Sequence, residues 1–149
     1  MRKALLCILS VALLHQAQAY KWKLCGDGDF KIENATLNPT TIYPGSTATF
    51  TIEGEAGTET VEDGEIVMLV KLSGLPIYTQ EDDLCSKTSC PVSKGEGVTI
   101  TYEQEFPIIT PPGSYSVMLA GKSSNGMELF CVTILFQVQT PQLSSIAVT

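Results

Sequence analysis

From Ser114 to Val138 the side chains alternate with a period of two, and little else in the chain restricts the fold as tightly. In the first run Tyr115, Val117 and Leu119 share one face, opposite Ser114, Ser116 and Met118. In the second, Phe130, Val132, Ile134, Phe136 and Val138 share a face, opposite Cys131, Thr133, Leu135 and Gln137. A period of two, rich in β-branched and aromatic residues, belongs to strands. Between the runs lies Lys122-Ser123-Ser124-Asn125-Gly126, whose Asn-Gly step takes positive φ easily. The stretch reads as a β-hairpin with one strongly apolar face, which the rest of the chain must cover.

The preceding residues supply short strands divided by turn chemistry. Phe30 to Leu37 is a weak first strand, ended by Asn38-Pro39, and Tyr43-Pro44-Gly45 is a turn. Thr47 to Glu53 alternates, with Ala48, Phe50 and Ile52 on one face. Gly54 to Gly64 is a polar, acidic loop. Glu65 to Leu72 is apolar on both faces, as in a central strand covered on both sides. Ile77 to Thr79 suits a short edge strand, and Glu81 to Gly97 a long loop. Val98 to Phe106 alternates through Val98, Ile100 and Tyr102, and Pro107 to Gly113 leads into the hairpin. The tail after Pro141 lacks periodicity. About seven strands without an amphipathic helix predict an all-β fold, an immunoglobulin-like antiparallel β-sandwich. Trp22 precedes Cys25, so the tryptophan between two cysteines that marks an antibody domain is missing.

The N-terminus carries its own pattern. Met1-Arg2-Lys3 is basic, Ala4 to Leu14 is apolar, and Ala17-Gln18-Ala19 offers small residues for cleavage. Residues 1–19 therefore read as a secretory signal peptide, with residues 20–149 as one mature domain. Arg2 and His15 are the only arginine and histidine, so the mature chain holds seven lysines against 16 carboxylates. That balance argues against nucleic acid, which is held by clustered positive charge. Cys7 goes with the leader; Cys25, Cys85, Cys90 and Cys131 remain, an even number in an exported chain. Three pairings are open, although the short Cys85–Cys90 spacing suggests a local clip. Zinc is disfavoured, because the C-x2-C pairs typical of such sites are absent.

Catalytic chemistry is hard to assemble from these residues. Ser–His–Asp or Cys–His catalysis needs a histidine that the mature chain lacks. Gly121-Lys122-Ser123 resembles the end of a phosphate loop, but Ser116 stands where the first glycine is needed. Asp27 and Asp29 hint at calcium, yet Lys31 and Ile32 break the EF-hand spacing. The acidic runs Glu59 to Glu65 and Glu81 to Asp83 read as solvated loops rather than a weak calcium site. A small hydrolase using paired carboxylates is the enzymatic alternative, but a sandwich of this size offers little cleft for a sugar chain. The expectation is a non-enzymatic protein without cofactor or metal. Asn34-Ala35-Thr36 is an N-glycosylation sequon, which places Asn34 as the glycan site.

Several motifs carry a resemblance over nearly the whole mature chain. They are Trp22-Lys23-Leu24-Cys25, Asn38-Pro39 with Tyr43-Pro44-Gly45, and Asp83-Leu84-Cys85 with Thr88-Ser89-Cys90-Pro91-Val92. Pro111-Pro112-Gly113-Ser114-Tyr115-Ser116 and Glu128-Leu129-Phe130-Cys131-Val132 follow in order. Together they resemble the MD-2-related lipid-recognition (ML) family, which includes the Niemann–Pick type C2 protein. They are most similar to the plant and fungal branch known as phosphatidylglycerol/phosphatidylinositol transfer proteins. The resemblance implies a sandwich with splayed sheets and a lipid cavity between them. It also implies the pairing Cys25–Cys131 and Cys85–Cys90. Many relatives carry another cysteine pair after the position of Pro39; here Thr40-Thr41-Ile42-Tyr43 has none, so this turn must hold by packing and proline.

The implied function is binding and transfer of one lipid, a phospholipid or a sterol, in the secreted or lumenal secretory and vacuolar space. A monomer with transient membrane contact fits that role, and a lipid-sensing co-receptor is the alternative. The residues expected to line the cavity are the inward ones: Phe50, Ile52, Met68, Val70, Ile100, Tyr102, Val117, Leu119, Val132, Ile134 and Phe136. On packing grounds alone these would fill an ordinary core, since interiors are usually dense; the gap is what the resemblance implies. Its mouth is expected around Tyr78, Tyr102 and Pro107 to Ile109, and a phosphoinositide head would meet lysines and backbone N–H groups without any arginine. Protein recovered from a eukaryotic secretory host is predicted to begin at Tyr20 by mass spectrometry. Glycosidase treatment is predicted to remove one glycan, and Asn34→Gln to abolish that shift; exported protein retaining Met1 contradicts the leader.

Overall fold

The computed structural model describes residues 19–141; apart from Ala19 the expected leader lies outside them, as does the tail after Pro141. Eight strands run in chain order: β1 Tyr20–Gly26, β2 Lys31–Asn38, β3 Thr47–Glu55, β4 Gly64–Leu72, β5 Leu75–Asp83, β6 Gly97–Glu105, β7 Gly113–Ser123 and β8 Glu128–Val138. They form two antiparallel sheets, one ordered β1-β8-β7-β4-β5 and the other β2-β3-β6. The expected all-β sandwich is thus present, with eight strands in place of about seven.

The additional strand is β1. Its residues Tyr20, Trp22 and Leu24 alternate with Lys21 and Lys23, and it pairs with β8 from Tyr20 opposite Phe136 to Leu24 opposite Val132. Two lysines on the outer face suit the edge of a sheet, where charge discourages further pairing. The segment expected as the short strand Ile77 to Thr79 extends to nine residues as β5, the opposite edge. The long loop accordingly begins after Asp83, with a single helical turn at Leu84–Ser86 whose Leu84 is fully buried.

The hairpin follows its alternation. Tyr115, Val117 and Leu119 of β7 and Phe130, Val132, Ile134, Phe136 and Val138 of β8 are all buried. They face Ala48, Phe50 and Ile52 of β3 and Val98, Ile100 and Tyr102 of β6, which are buried too. Burying one such apolar side chain contributes about 1.5–3 kcal/mol. β4 corrects one expectation. It is central in pairing, between β5 and β7, but only Ile66, Met68 and Val70 are buried. Val67 and Leu69 lie on the outer face, half-buried among their neighbours, and no second layer of described residues covers them.

The turn without the extra cysteine pair is anchored by more than proline. Ile42 is fully buried and bridges to Val138, and its carbonyl accepts from Gln139 N at 2.8 Å. Gly45 N donates to Phe106 O at 2.6 Å, and Ser46 Oγ donates to Tyr43 O at 2.6 Å. Both expected bridges are present: Cys25–Cys131 ties β1 to β8, and Cys85–Cys90 closes the loop after β5. With its ends 106 positions apart, the first removes about 4.7 kcal/mol of denatured-state freedom in the chain-entropy view.

At the end of the sandwich that holds the β7–β8 turn, the rings of Phe30 and Phe130 stack at 6.3 Å, and a Cβ on Gly121 would meet the Phe130 ring at 2.4 Å. Asp29 links the β1–β2 turn to the β3–β4 loop. Its carboxylate accepts from Thr58 N at 3.1 Å and from Thr58 Oγ1 at 2.8 Å. The Thr58 backbone N–H, above all, holds this carboxyl below its ordinary pKa. Asp29 therefore stabilises the fold fully above the ordinary carboxylate range, and this contribution is lost as pH falls through the lowered pKa. Asp29→Ala is expected to reduce stability by about 1 kcal/mol at neutral pH. The gap between its denaturant midpoint and that of the unsubstituted protein should begin to narrow near the ordinary carboxylate pKa of about 4 and close only as pH falls through the lowered value. An equal gap at all pH values contradicts the ionic contribution.

Candidate ligand cavity

One end of the sandwich is not closed. A cavity of about 530 Å³ lies where β4 ends, β5 begins, β6 ends and β7 begins. Val70 of β4 and Ile77 and Tyr78 of β5 wall one side. Gln104 and Glu105 of β6 stand opposite, followed by Phe106, Pro107, Ile109, Thr110 and Pro111 of the β6–β7 connection. Tyr115 of β7 completes the lining. The volume falls in the range of about 300–1,000 Å³ typical of small-molecule sites.

The walls follow from local sequence. Pro107, Pro111 and Pro112 restrict φ along the β6–β7 connection, and Thr110 N closes a turn onto Pro107 O at 2.8 Å. Tyr115 Oη donates to Pro111 O at 2.7 Å, so a strand residue pins the connection above it. Burial raises the pKa of that phenol. Behind the lining the rings form a cluster: Phe106 meets Tyr115 at 6.3 Å and Phe136 at 5.8 Å, and Phe136 lies 5.9 Å from Phe50. The two Phe106 pairs are edge-to-face and the Phe50–Phe136 pair is tilted, arrangements that aromatic rings favour over a face-to-face sandwich. The floor is therefore aromatic and apolar, and the polar lining groups Tyr78, Gln104, Glu105 and Thr110 belong to the outer strands and the connection.

The rim is aliphatic. Leu75, Ile77, Ile108 and Ile109 are 70%, 53%, 83% and 85% exposed, which makes this the largest gathering of exposed apolar side chains among the described residues. No charged residue occurs from Leu72 to Thr79 or from Phe106 to Gly121.

Every one of the eleven inward residues, Phe50, Ile52, Met68, Val70, Ile100, Tyr102, Val117, Leu119, Val132, Ile134 and Phe136, is buried between the sheets. Val70 alone of them lines the cavity; the other ten pack together in the core. Of the residues expected at the mouth, Tyr78, Pro107 and Ile109 line it, Ile108 projects from it, and Tyr102 is buried farther in. Sequence reasoning passed over Ile77, Gln104, Glu105, Phe106, Thr110, Pro111 and Tyr115 as lining. Ile108-Ile109 was the available clue, since two adjacent large aliphatics in a proline-rich connection have no strand face to bury them.

Other arrangements of reactive groups are structural. Asp63, Asp83 and Cys85 lie together, but Cys85 is bridged to Cys90. Asp63 accepts from Gly64 N at 2.8 Å and Asp83 from Cys85 N at 2.9 Å, so both carboxylates cap backbone. Asn34 is exposed on β2, an outer strand of the three-stranded sheet.

Comparison with known proteins fits this geometry. The family profile described as the ML domain matches residues 19–138. A phosphatidylglycerol/phosphatidylinositol transfer protein of Aspergillus oryzae is 32% identical over 120 residues, covering 74% of this chain and 67% of that protein. A putative phosphatidylglycerol/phosphatidylinositol transfer protein 1 of Dictyostelium discoideum is 24% identical over 135 residues, 88% of this chain and 89% of its own. Among solved structures, a Niemann-Pick type C2 protein from the Japanese carpenter ant superposes with a TM-score of 0.65 at 15% identity, covering 80% of this chain and 99% of that one. The fungal and amoebal relatives both bear the name of phospholipid transfer proteins, and the profile spans the entire sandwich. The chain belongs to the ML-domain family.

Proposed function

We propose that this protein binds one lipid, a phospholipid or a sterol, with its apolar part in the end cavity and its polar end at the mouth, and carries it between membranes. The observation that carries this reading is the cavity itself, a largely apolar slot open at the end of an ML-domain sandwich, with exposed aliphatic side chains at its rim and Glu105 as its one charged lining residue. Burying alkyl surface contributes about 25 cal/mol per Å². Affinity then comes mainly from the tail, and selectivity among heads is modest because no arginine follows His15. The names of the fungal and amoebal relatives favour a phospholipid. Two disulfides and the N-terminal pattern support a secreted or lumenal setting.

The rim supplies the membrane contact. Leu75 and Ile108 stand beside the mouth and Ile77 and Ile109 line it, so inserting these side chains into the head-group region would align the cavity with a lipid leaving the bilayer. The contact is transient, since four side chains bury little area.

Native mass spectrometry of protein from a eukaryotic secretory host is expected to show one bound lipid per chain. Val70→Trp, which fills the cavity from its wall, is expected to remove the lipid while circular dichroism remains that of the intact sandwich. A lipid-free protein, or undiminished lipid in Val70→Trp, contradicts the assignment. Each inserted leucine or isoleucine contributes about 1.5 kcal/mol or more. Leu75→Asp with Ile108→Asp, two rim positions outside the lining, should therefore slow vesicle-to-vesicle transfer about tenfold or more while bound lipid stays stoichiometric. Unchanged transfer by that double variant excludes the rim as the contact.

A further inference from the structure

The two sheets meet along two seams, and the one between β5 and β6 is unusual. β5 is the free edge of the five-stranded sheet and β6 of the three-stranded sheet, and no backbone ladder joins them. In register, Tyr78, Gln80 and Asp82 of β5 lie opposite Val70, Met68 and Ile66 of β4. Directly opposed residues in an antiparallel pair point to the same side. Since those three β4 residues form the core face, β5 turns a polar row toward the interior.

That row is hydrogen-bonded end to end. Tyr78 Oη donates to Gln80 Oε1, and Gln80 Nε2 donates to Asp82 Oδ2 at 2.7 Å. The last link crosses the seam: Tyr102 Oη of β6, on a residue 1% exposed, donates to the same Asp82 oxygen. Among the described residues it is the one side-chain hydrogen bond between the two edge strands. Lys87 Nζ sits 4.3 Å from the centroid of the Tyr102 ring, and Thr101 N donates to Lys87 O at 2.9 Å, so the disulfide-closed loop braces the same spot. The cavity begins one step outward, at Tyr78 on β5 and Gln104 on β6. Inward of the clasp lie Met68, Ile100 and Ile52, each 0–1% exposed.

We propose that the Tyr102–Asp82 bond, supported by Gln80 and Tyr78, is a clasp that sets the depth of the slot and so the length of acyl chain it accepts. The proposal rests on the lipid-binding reading above. An apolar seam would be held by many contacts spread along its length. This one is held at a point by polar groups that water could solvate if the sheets parted. With the clasp closed, a chain entering at the mouth stops at the Gln80–Asp82 row. With it open, β5 and β6 separate and a longer chain reaches toward Met68 and Ile100.

The test is the affinity of lysophosphatidylcholines of increasing acyl length, measured below their micelle concentrations. For the unsubstituted protein, affinity should rise about fourfold per added methylene and then stop rising. In Tyr102→Phe, which keeps the ring and removes the hydroxyl, and in Asp82→Val, the break should move to longer chains. Asp82→Asn retains an acceptor oxygen and should keep the original break. Amide exchange along β5 and β6 without lipid should quicken in Tyr102→Phe and stay unchanged in Asp82→Asn. One common break in all four proteins, or unchanged exchange in Tyr102→Phe, overturns the clasp and leaves lipid binding standing. Failure of the unsubstituted protein to bind any member of the series overturns lipid binding and the clasp with it. Should Asp82→Val not fold, Tyr102→Phe decides.

Discussion

Five strands cannot be covered edge to edge by three. At about 4.8 Å per strand, the larger sheet is wider by roughly 10 Å, and its inner face is apolar along β4, β7 and β8. The middle of that face is covered densely, as the fully buried Phe50, Met68, Val117, Val132 and Ile134 show. The surplus appears at the edges. Leu24 of β1 is 53% exposed despite lying in the inward register of Tyr20 and Trp22, and Ile77 and Tyr78 of β5 are exposed as well. The cavity is this mismatch made useful on the β5 side, where the β6–β7 connection roofs the overhang instead of filling it.

The two seams handle the same mismatch differently. On the β1–β2 side the chain runs directly from one sheet to the other, and Asp29 N and Phe30 N donate to Glu128 O and Leu129 O at 3.0 and 2.8 Å. Phe30 stacks on Phe130 there, and Cys25–Cys131 fastens the edge strand to its neighbour. Covalent, aromatic and backbone links coincide, so that side acts as the fixed spine. On the β5–β6 side the covalent connection lies at the far end, through the loop of Cys85 and Cys90, and the near end is open. A hinge-like arrangement results in which the mouth sits opposite the stiffest links.

Strand faces were legible because one sheet face is buried and the other is not, and a one-residue slip would exchange them. Val117, Leu119, Val132 and Ile134 fall inward on that ground alone. Counting cysteines with the leader set aside pointed to two bridges but left three pairings open, and the pairing found is the one the family resemblance implied. β1 escaped because its inward residues alternate with Lys21 and Lys23 and only Trp22 and Tyr20 gain partial cover. β4 misled because Val67 and Leu69 read as core, whereas they shield one another with Met118 on an outer face. The cavity was legible only through resemblance, because a gap is a relation between two sheets and no residue's own periodicity reports it. The polar row Tyr78, Gln80 and Asp82 alternates like a strand yet faces inward, which no hydrophobic pattern would suggest.

Isotope-edited NMR tests the central claim most directly. With protein carrying labelled methyl groups and an unlabelled phospholipid, nuclear Overhauser contacts from the terminal acyl methylenes should reach Val70 and Ile77, with aromatic contacts to Phe106 and Tyr115. Met68 and Ile100 should receive none. Contacts confined to Val67, Leu69 and Leu135 on the outer face of the larger sheet, with none to Val70 or Tyr115, would show that lipid lies on the sandwich rather than in it.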